Sequence, residues 1–454
     1  MVEVPEPIRS RLRQCGEERI LADWSSLSSA DQALLLELLN ALDPAVLRPC
    51  YEHGEKKSHL PAREHLCHAK SFSASEQAKM ARAAGEAALC ENKVAAVVVA
   101  GGKGTRLGFD RPKGMYPIGP VSQRSLFQIF AEQILARRRR HECALPLLIL
   151  TSRATDAETR AFFSQHRNFG LDDVTFFVQG ELPVLDMATG RPLRHAEGDL
   201  VTSPDGHGGT LAALHREGLL AELARRGIEQ LFYFQVDNPL VKIADPVFVG
   251  QHLLARSEAS TKVVRKLSPA EPMGNLVEVS GHCHVVEYSN LNQEQAHWTD
   301  EQGRHLFMAG STAMHLFDIA FLQRLAESKF RLPLHLARKK AAVRDAGGKE
   351  VVPAKENVVQ FERFVFDILP QAERYLVVET TRAEEFAPLK NRHGADSPDS
   401  VRQALSAQAA DRLRQAGITA PEGLLVEISP LAALEPDDLR HVRDFGIRVE
   451  RLES

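Results

Sequence analysis

The residues best equipped for chemistry cluster in Ala100-Gly101-Gly102-Lys103-Gly104-Thr105-Arg106-Leu107-Gly108. Glycine lets the backbone adopt positive φ and turn its N–H groups toward an anion. Arg106, and Lys113 within Arg111-Pro112-Lys113-Gly114-Met115, add cations that can converge on phosphates, arginine as a fork and lysine as a point charge. Two familiar phosphate loops do not fit. A Walker loop ends Gly-Lys-Ser/Thr, but Gly104 is followed by Thr105-Arg106; the dinucleotide fingerprint needs a third glycine where Leu107 stands. Further on, Asp237 follows the apolar run Leu231–Val236, at the carboxyl end of an expected strand. A hard carboxylate there suits Mg²⁺ bridging two phosphates, and the competing role is an Asp-Asn-Pro turn former.

These groups need a scaffold, and the patterning supplies one. Val94–Ala100 is a continuous apolar run, the signature of a strand buried on both faces. Similar runs at Leu145–Leu150, Val174–Val178 and Leu231–Val236 alternate with helical stretches at Ser125–Arg140, Asp156–Ser164 and Thr210–Arg226. That alternation predicts an α/β protein with a central doubly wound sheet, and ligands bind at the carboxyl ends of such strands. Residues 1–90 read as a helical N-terminal cap. Within it lie two expected helices, opened by capping boxes at Ser29/Gln32 and Ser73/Glu76. Residues 91–392 form the central domain. Residues 393–454 form a small C-terminal α+β unit, with a helix over Pro398–Gln415 and a strand over Gly423–Ile428.

Composition narrows the function. Hydrophobic residues at 44% and charged residues at 26% fit a soluble globular chain. A formal net charge of −4 argues against nucleic acid or an anionic membrane as partner. No apolar run reaches the ~18 residues of a membrane helix, and the start of the chain lacks a signal pattern. Six scattered cysteines without a Cys-x-x-Cys pair predict a reduced, cytoplasmic protein. His282-Cys283-His284 cannot ligate one metal together, because alternate strand residues face opposite ways. Arg137–Arg140, at a helix end, is expected to stay solvated.

The pattern Gly-Gly-x-Gly-Thr-Arg-Leu followed by Pro112-Lys113-Gly114-Met115-Tyr116 and Ser125-Leu126-Phe127-Gln128 resembles the UDP-N-acetylhexosamine pyrophosphorylases of eukaryotic type, within the wider UDP-glucose pyrophosphorylase family. The similarity continues through Gln179–Pro183, Ser203–Gly209 and Val236-Asp237-Asn238. It recurs at Val285–Ser289, Phe364–Asp367, Pro388–Asn391 and Glu427–Pro430, in order over most of the chain.

The resemblance implies a mixed-sheet nucleotidyltransferase domain, Rossmann-like and similar to the GT-A fold. It also implies a reaction: UTP and a sugar 1-phosphate give a UDP-sugar and pyrophosphate, with Mg²⁺ as cofactor. N-acetylglucosamine 1-phosphate is the first choice of sugar, glucose or galactose 1-phosphate the alternative. A reading from a different class is a silent sugar-nucleotide-binding regulator, which would need lost phosphate ligands. An oxidoreductase is a weaker alternative still, because the dinucleotide fingerprint fails, and absence of nicotinamide binding would close that question. Carried over by motif, the catalytic residues are Arg106, Lys113 and Lys390. Those at the nucleotide are Ala100, Gly101, Gly102, Lys103, Gln179, Gly206 and Asp237, with Gln179 reading the uracil and Asp237 holding the metal. His207, Glu287, Tyr288 and Ser311 meet the sugar. Departures are visible at three positions. His207 and Ser311 stand where the family has asparagine, and Gln360 stands where it often has a lysine, for which Lys355 or Arg363 is expected to substitute.

Overall fold

The computed structural model describes residues 3–53, 63–68, 71–73, 77–195, 198–328, 330–344, 350–351, 353–420, 423–440 and 450–451. The chain forms two compact units, and neither is one continuous stretch. The first joins 1–60 with 179–213 and 329–368; the second joins 61–178, 214–328 and 369–454. The consecutive divisions expected near residues 90 and 392 both fall inside the second unit.

The second unit is built on one mixed sheet. Its strands include β1 (Val94–Val99), β2 (Leu147–Thr151), β3 (Val174–Val178) and β4 (Gln230–Gln235), parallel in the order β4-β1-β2-β3. All five residues of β2 are buried, as continuous apolar runs require when helices cover both faces. The sheet goes on through β5 (Ala259–Arg265), β6 (Asn275–Val279), β7 (His282–Val286), β8 (Ala309–Asp318) and β9 (Tyr375–Thr380). β8 runs antiparallel to both β4 and β5, which makes the sheet mixed. In β7 the alternation holds: Cys283 is buried while His282 is exposed, and burial pushes the Cys283 thiol up, away from metal binding.

The helices of this unit include α1 (Ala78–Cys90), α2 (Leu126–His141), α3 (Pro246–Leu254) and α4 (Pro398–Gln415). α1 starts at Ala78, after Gln77 in left-handed conformation, and Ser73 ends a short strand. The expected cap at Ser73/Glu76 falls partly outside the described residues. α1 and α3 touch backbone to backbone through two glycines. A Cβ at Gly85 would lie 1.9 Å from the Pro246 carbonyl oxygen, and one at Gly250 would lie 1.7 Å from that of Ala81. Backbone cannot swing aside as a side chain can, so Gly250→Ala must push the helices apart. The expected loss is about 3 kcal/mol or more, read from urea unfolding; an unchanged midpoint would contradict this packing.

His252 on α3 is 1% exposed, with Nδ1 2.7 Å from Ser260 Oγ. Burial holds its pKa down to about 3, against 6.5 unfolded. Below pH 6.5 the unfolded chain therefore binds the proton that the native state refuses, and stability falls as pH falls. The slope should approach about 1.4 kcal/mol per pH unit toward pH 4. His252→Asn should flatten that part of a stability–pH curve, and an identical curve would show that His252 does not cause it.

Several sequence expectations are corrected. The 210–226 helix breaks in two, because Gly218 adopts φ +69° between Gly209–Arg216 and Leu219–Arg225. The cap of Ser29–Ala41 is Ser28, which accepts the Asp31 N–H, while Gln32 donates to the Trp24 carbonyl. The late strand shrinks to Leu424–Leu425. Arg137 is not solvated: it is 4% exposed and pairs with Glu435, while Arg138 meets Asp172 and Arg140 meets Asp438. The arginine run thus anchors the C-terminal segment. Glu427 does similar work, accepting from Val121 N–H, Ser122 N–H and Ser122 Oγ.

In the first unit, the helices Glu6–Cys15 and Ser29–Ala41 bury Leu12, Leu35 and Leu39 in one core with Leu182, Leu185, Val359 and Phe361. Leu182 and Leu185 come from the 181–186 strands, and Val359 and Phe361 from Val358–Glu362. The N-terminal helices are therefore the helical layer of an α/β unit that the chain revisits twice. Among the described residues no helix is long and apolar enough to cross a membrane.

Candidate functional site

The glycine turn leaves the carboxyl end of β1. Ala100 is buried and donates its N–H to Leu150 O at 2.8 Å; the Gly101 carbonyl accepts from Ser152 Oγ at 2.7 Å. Gly102 is exposed, and a Cβ built there would meet nothing within 4 Å. The protein's own packing therefore does not require glycine at 102, whereas close approach of a ligand would. Lys103–Gly104 pairs with Phe109–Pro112, and Lys103 Nζ lies 3.4 Å from Asp110. Arg106 sits exposed in a 3₁₀ turn, with no ion pair among the described residues.

Lys113 is held beside that turn, its N–H donating to Gly102 O at 3.0 Å. The next residue must be glycine, because a Cβ at Gly114 would sit 2.2 Å from the Phe127 ring. Phe127 follows Ser125, whose Oγ accepts the Gln128 N–H and caps α2, so the Ser125–Gln128 motif braces the lysine turn. The half-buried Lys113 sends Nζ to the Leu389 carbonyl at 3.3 Å, and the Leu389 N–H donates to Asp237 O at 2.7 Å. One residue thereby joins the Lys113 ammonium, the Asp237 strand end and the segment that carries Lys390. The Asp237 carboxylate is half-buried, with no hydrogen bond or ion pair among the described residues. Lys390 and Asn391 donate their N–H groups to Asp396 O at 2.7 and 3.0 Å. Burial pushes the Asp396 carboxyl up, Asp237 and Glu271 adding to the effect and Lys390 and Arg382 opposing it. Sequence reasoning missed Asp396, six residues beyond Lys390.

A second group lies where β6, β7 and β8 meet. Ser311 donates its N–H to Gly274 O at 2.8 Å, and Glu287 Oε1 would be 3.2 Å from a Cβ at Gly274. Gly274 therefore brings the Glu287 carboxylate and Ser311 to one place, and no motif marked it. The Ser311 hydroxyl accepts the N–H of Ala313, which has φ +55° beside the irregular register with β5. Tyr288 is 46% exposed.

Gln179, Gly206 and His207 belong to the first unit. Gln179 is buried, just before the strand Glu181–Pro183, which pairs with Thr202–Pro204. The next loop is drawn tightly round Asp205, against which a Cβ at Gly180 or Gly209 would clash at 2.7 and 2.1 Å. Gly206 (φ +84°) and Gly208 press on the Arg363 backbone in the same way. Arg363 pairs with Asp205 at 3.4 Å and Glu37 at 3.2 Å and is 7% exposed. It fastens this loop, so the expectation that it replaces a phosphate-binding lysine does not hold. Lys355 is exposed. The His207 ring stacks on Phe364, which also stacks with His335, and its Nδ1 accepts the Val365 N–H at 3.2 Å. Nε2 consequently carries the proton. Lost hydration, and then His335, hold the imidazole pKa down to about 4, so it is neutral near pH 7.

Among the described residues no three His, Cys, Asp or Glu side chains gather as a ready-made metal cage. A lone carboxylate such as that of Asp237 would be one protein ligand for a Mg²⁺ ion, which keeps its waters and takes one or two carboxylates plus substrate phosphates.

Known proteins resemble the chain over most of its length. A UDP-N-acetylhexosamine pyrophosphorylase-like protein 1 from Xenopus tropicalis is 37% identical over 440 residues, covering 91% of this chain and 86% of its own. The UDP-N-acetylglucosamine pyrophosphorylase of Saccharomyces cerevisiae is 33% identical, covering 92% of each. The crystal structure described as a putative UDP-N-acetylglucosamine pyrophosphorylase from Entamoeba histolytica aligns with TM-score 0.77 at 29% identity, covering 83% of this chain and 96% of that one. The family model described as UTP--glucose-1-phosphate uridylyltransferase matches residues 51–450, and the chain belongs to that family.

Proposed function

We propose that this protein is a Mg²⁺-dependent uridylyltransferase that joins UTP to N-acetylglucosamine 1-phosphate and releases pyrophosphate. The observation that carries this reading is the Leu389 backbone, which ties Lys113, Asp237 and the Lys390 segment into one hydrogen-bonded frame. Uridylyl transfer asks for such a frame. A sugar phosphate is largely dianionic near neutral pH, its second pKa being about 6, so its oxygen attacks the α-phosphorus of UTP without a general base. A new O–P bond forms as the bond to the β-phosphate oxygen breaks, and the electron pair leaves with pyrophosphate. The obstacles are repulsion between anions and charge growing on the leaving group, which fixed cations lower.

In this reading the Gly101-Gly102 backbone, with Ala100 and Lys103 beside it, approaches the nucleotide. Arg106 and Lys113 hold the triphosphate, and Lys390 holds the sugar phosphate. Asp237 would hold Mg²⁺, which supplies charge neutralisation between phosphates when bound. The Gln179 amide offers the uracil edge a donor and an acceptor, with Gly206 beside the nucleotide. Glu287, Tyr288 and the Nε2–H of neutral His207 meet the sugar.

The relatives' names favour the hexosamine. A second reading, glucose or galactose 1-phosphate, is favoured by Ser311, whose hydroxyl is already turned to the Ala313 N–H. Pyrophosphate release with Mg²⁺ and UTP, using each sugar 1-phosphate separately, decides between them. Fastest release with N-acetylglucosamine 1-phosphate is expected, and a preference for glucose 1-phosphate would move the assignment. No release with any sugar, from protein that binds UTP, would point to the regulator.

A further inference from the structure

We propose that Asn238 is a positioning residue for Lys390, an inference that rests on the uridylyl-transfer reading. Asn238 follows Asp237 beyond β4 and is 3% exposed. Its Nδ2 donates to the Glu385 carbonyl at 2.7 Å, while its Oδ1 accepts the Ala387 N–H at 3.1 Å and the Leu240 N–H at 3.3 Å. With donor and acceptor both engaged, the amide has one satisfactory orientation, since turning it over would set Nδ2 against two N–H groups.

A side-chain amide carries the same donor and acceptor as a peptide unit, and here it stands in for one. Phe386 is extended (φ −143°, ψ 101°), so the chain from Glu385 to Leu389 can be gripped at alternate residues. Asn238 takes 385 and 387 with its side chain, and Asp237 takes 389 with its backbone carbonyl. The next residue is Lys390. Asn238 thereby sets where the Lys390 segment lies along the strand end that carries the Asp237 carboxylate. Losing the amide would strand the buried Glu385 carbonyl and loosen the segment just before the lysine. Of the groups assigned to UTP, Lys113 touches the clamped segment only through its bond to the Leu389 carbonyl, and the glycine turn and Arg106 lie outside it, so the sugar phosphate should feel the change more than UTP.

The test compares Asn238→Asp, the same shape with the donor replaced by an acceptor facing the Glu385 carbonyl, with Asn238→Ala. Turnover with UTP and N-acetylglucosamine 1-phosphate, equilibrium UTP binding, and amide hydrogen exchange across residues 386–392 are measured. Both variants should lose about 10- to 100-fold in kcat. KM for the sugar phosphate should rise, UTP affinity should stay within about twofold, and exchange at Leu389 and Lys390 should quicken. Wild-type kcat in Asn238→Asp would overturn the proposal, and so would a loss of UTP binding as large as the loss of turnover. Failure of Asn238→Ala to fold leaves Asn238→Asp to decide. A wild-type protein without turnover would instead sink the uridylyl-transfer reading; exchange at 386–392 then decides the clamp, and unchanged exchange overturns it.

Discussion

Lys262→Met should destabilise the protein by about 3–5 kcal/mol, the usual cost of breaking a buried ion pair by removing one partner. Lys262 is 1% exposed on β5, and its Nζ lies 2.6 and 2.7 Å from the Glu385 carboxylate oxygens and 3.1 Å from Asp245. Glu385 is 2% exposed and takes a further hydrogen bond from Thr380 Oγ1. Burial alone would raise the Asp245 pKa, but the Lys262 ammonium overrides it and brings the carboxyl to about 2. Burial alone would likewise lower Lys262, and Glu385 with Asp245 raises it instead. Removing the lysine takes the ammonium from both carboxylates and leaves Asp245 with only the fields of Lys242, Arg137 and Arg82. Without the ammonium, burial should raise the Asp245 carboxyl, making the variant more stable at pH 5 than at pH 8, the reverse of the His252 trend. Urea unfolding at the two pH values checks both size and sign. A loss under about 1 kcal/mol would mean water already screens the triad. Because the Glu385 carbonyl is also the Asn238 acceptor, turnover should fall along with stability.

The sequence reveals the parallel half of the sheet well, because strands buried on both faces read as unbroken apolar runs. Val174–Val178 is right at both ends. β5 and β8 carry no such signature. β5 has Lys262 in its middle, and β8 has Ser311, Thr312 and His315, polar residues that only tertiary partners make acceptable in a buried strand. The grouping of residues 1–60 with 179–213 and 329–368 is equally hidden, since it depends on pairings across long sequence separations. Helix ends escape the pattern where left-handed residues intervene, at Gln77 and Gly218. In the candidate site, residues within motifs are legible, and those that hold them are not. Asp205 and Glu427 lie inside the family motifs, yet their work is to fasten loops. Gly274 and Asp396 become visible only through contacts from other strands and turns.

Lys113→Ala should lower kcat by about 10²–10³, the cost of losing one preorganised charge-stabilising donor. The structure makes that loss interpretable. The Lys113 backbone is fixed by Gly102 O and by the turn packed on Phe127, so alanine should keep the turn and delete only the ammonium. Its one hydrogen bond, to the Leu389 carbonyl, leaves two of three N–H donors for phosphate oxygens. Lys113→Arg should recover little, because a planar fork cannot replace a compact charge in a half-buried turn already committed to one carbonyl. Among the described residues Arg106 makes no such internal bond, so Arg106→Ala should raise KM for UTP and disturb the Leu389 backbone less. Pyrophosphate release at saturating UTP and sugar phosphate, with melting to confirm folding, tests the pair. Near-normal kcat in Lys113→Ala would place the reacting phosphates elsewhere. A fall in kcat matched by faster amide exchange at Leu389 would show that Lys113 acts by holding the Lys390 segment, not through charge.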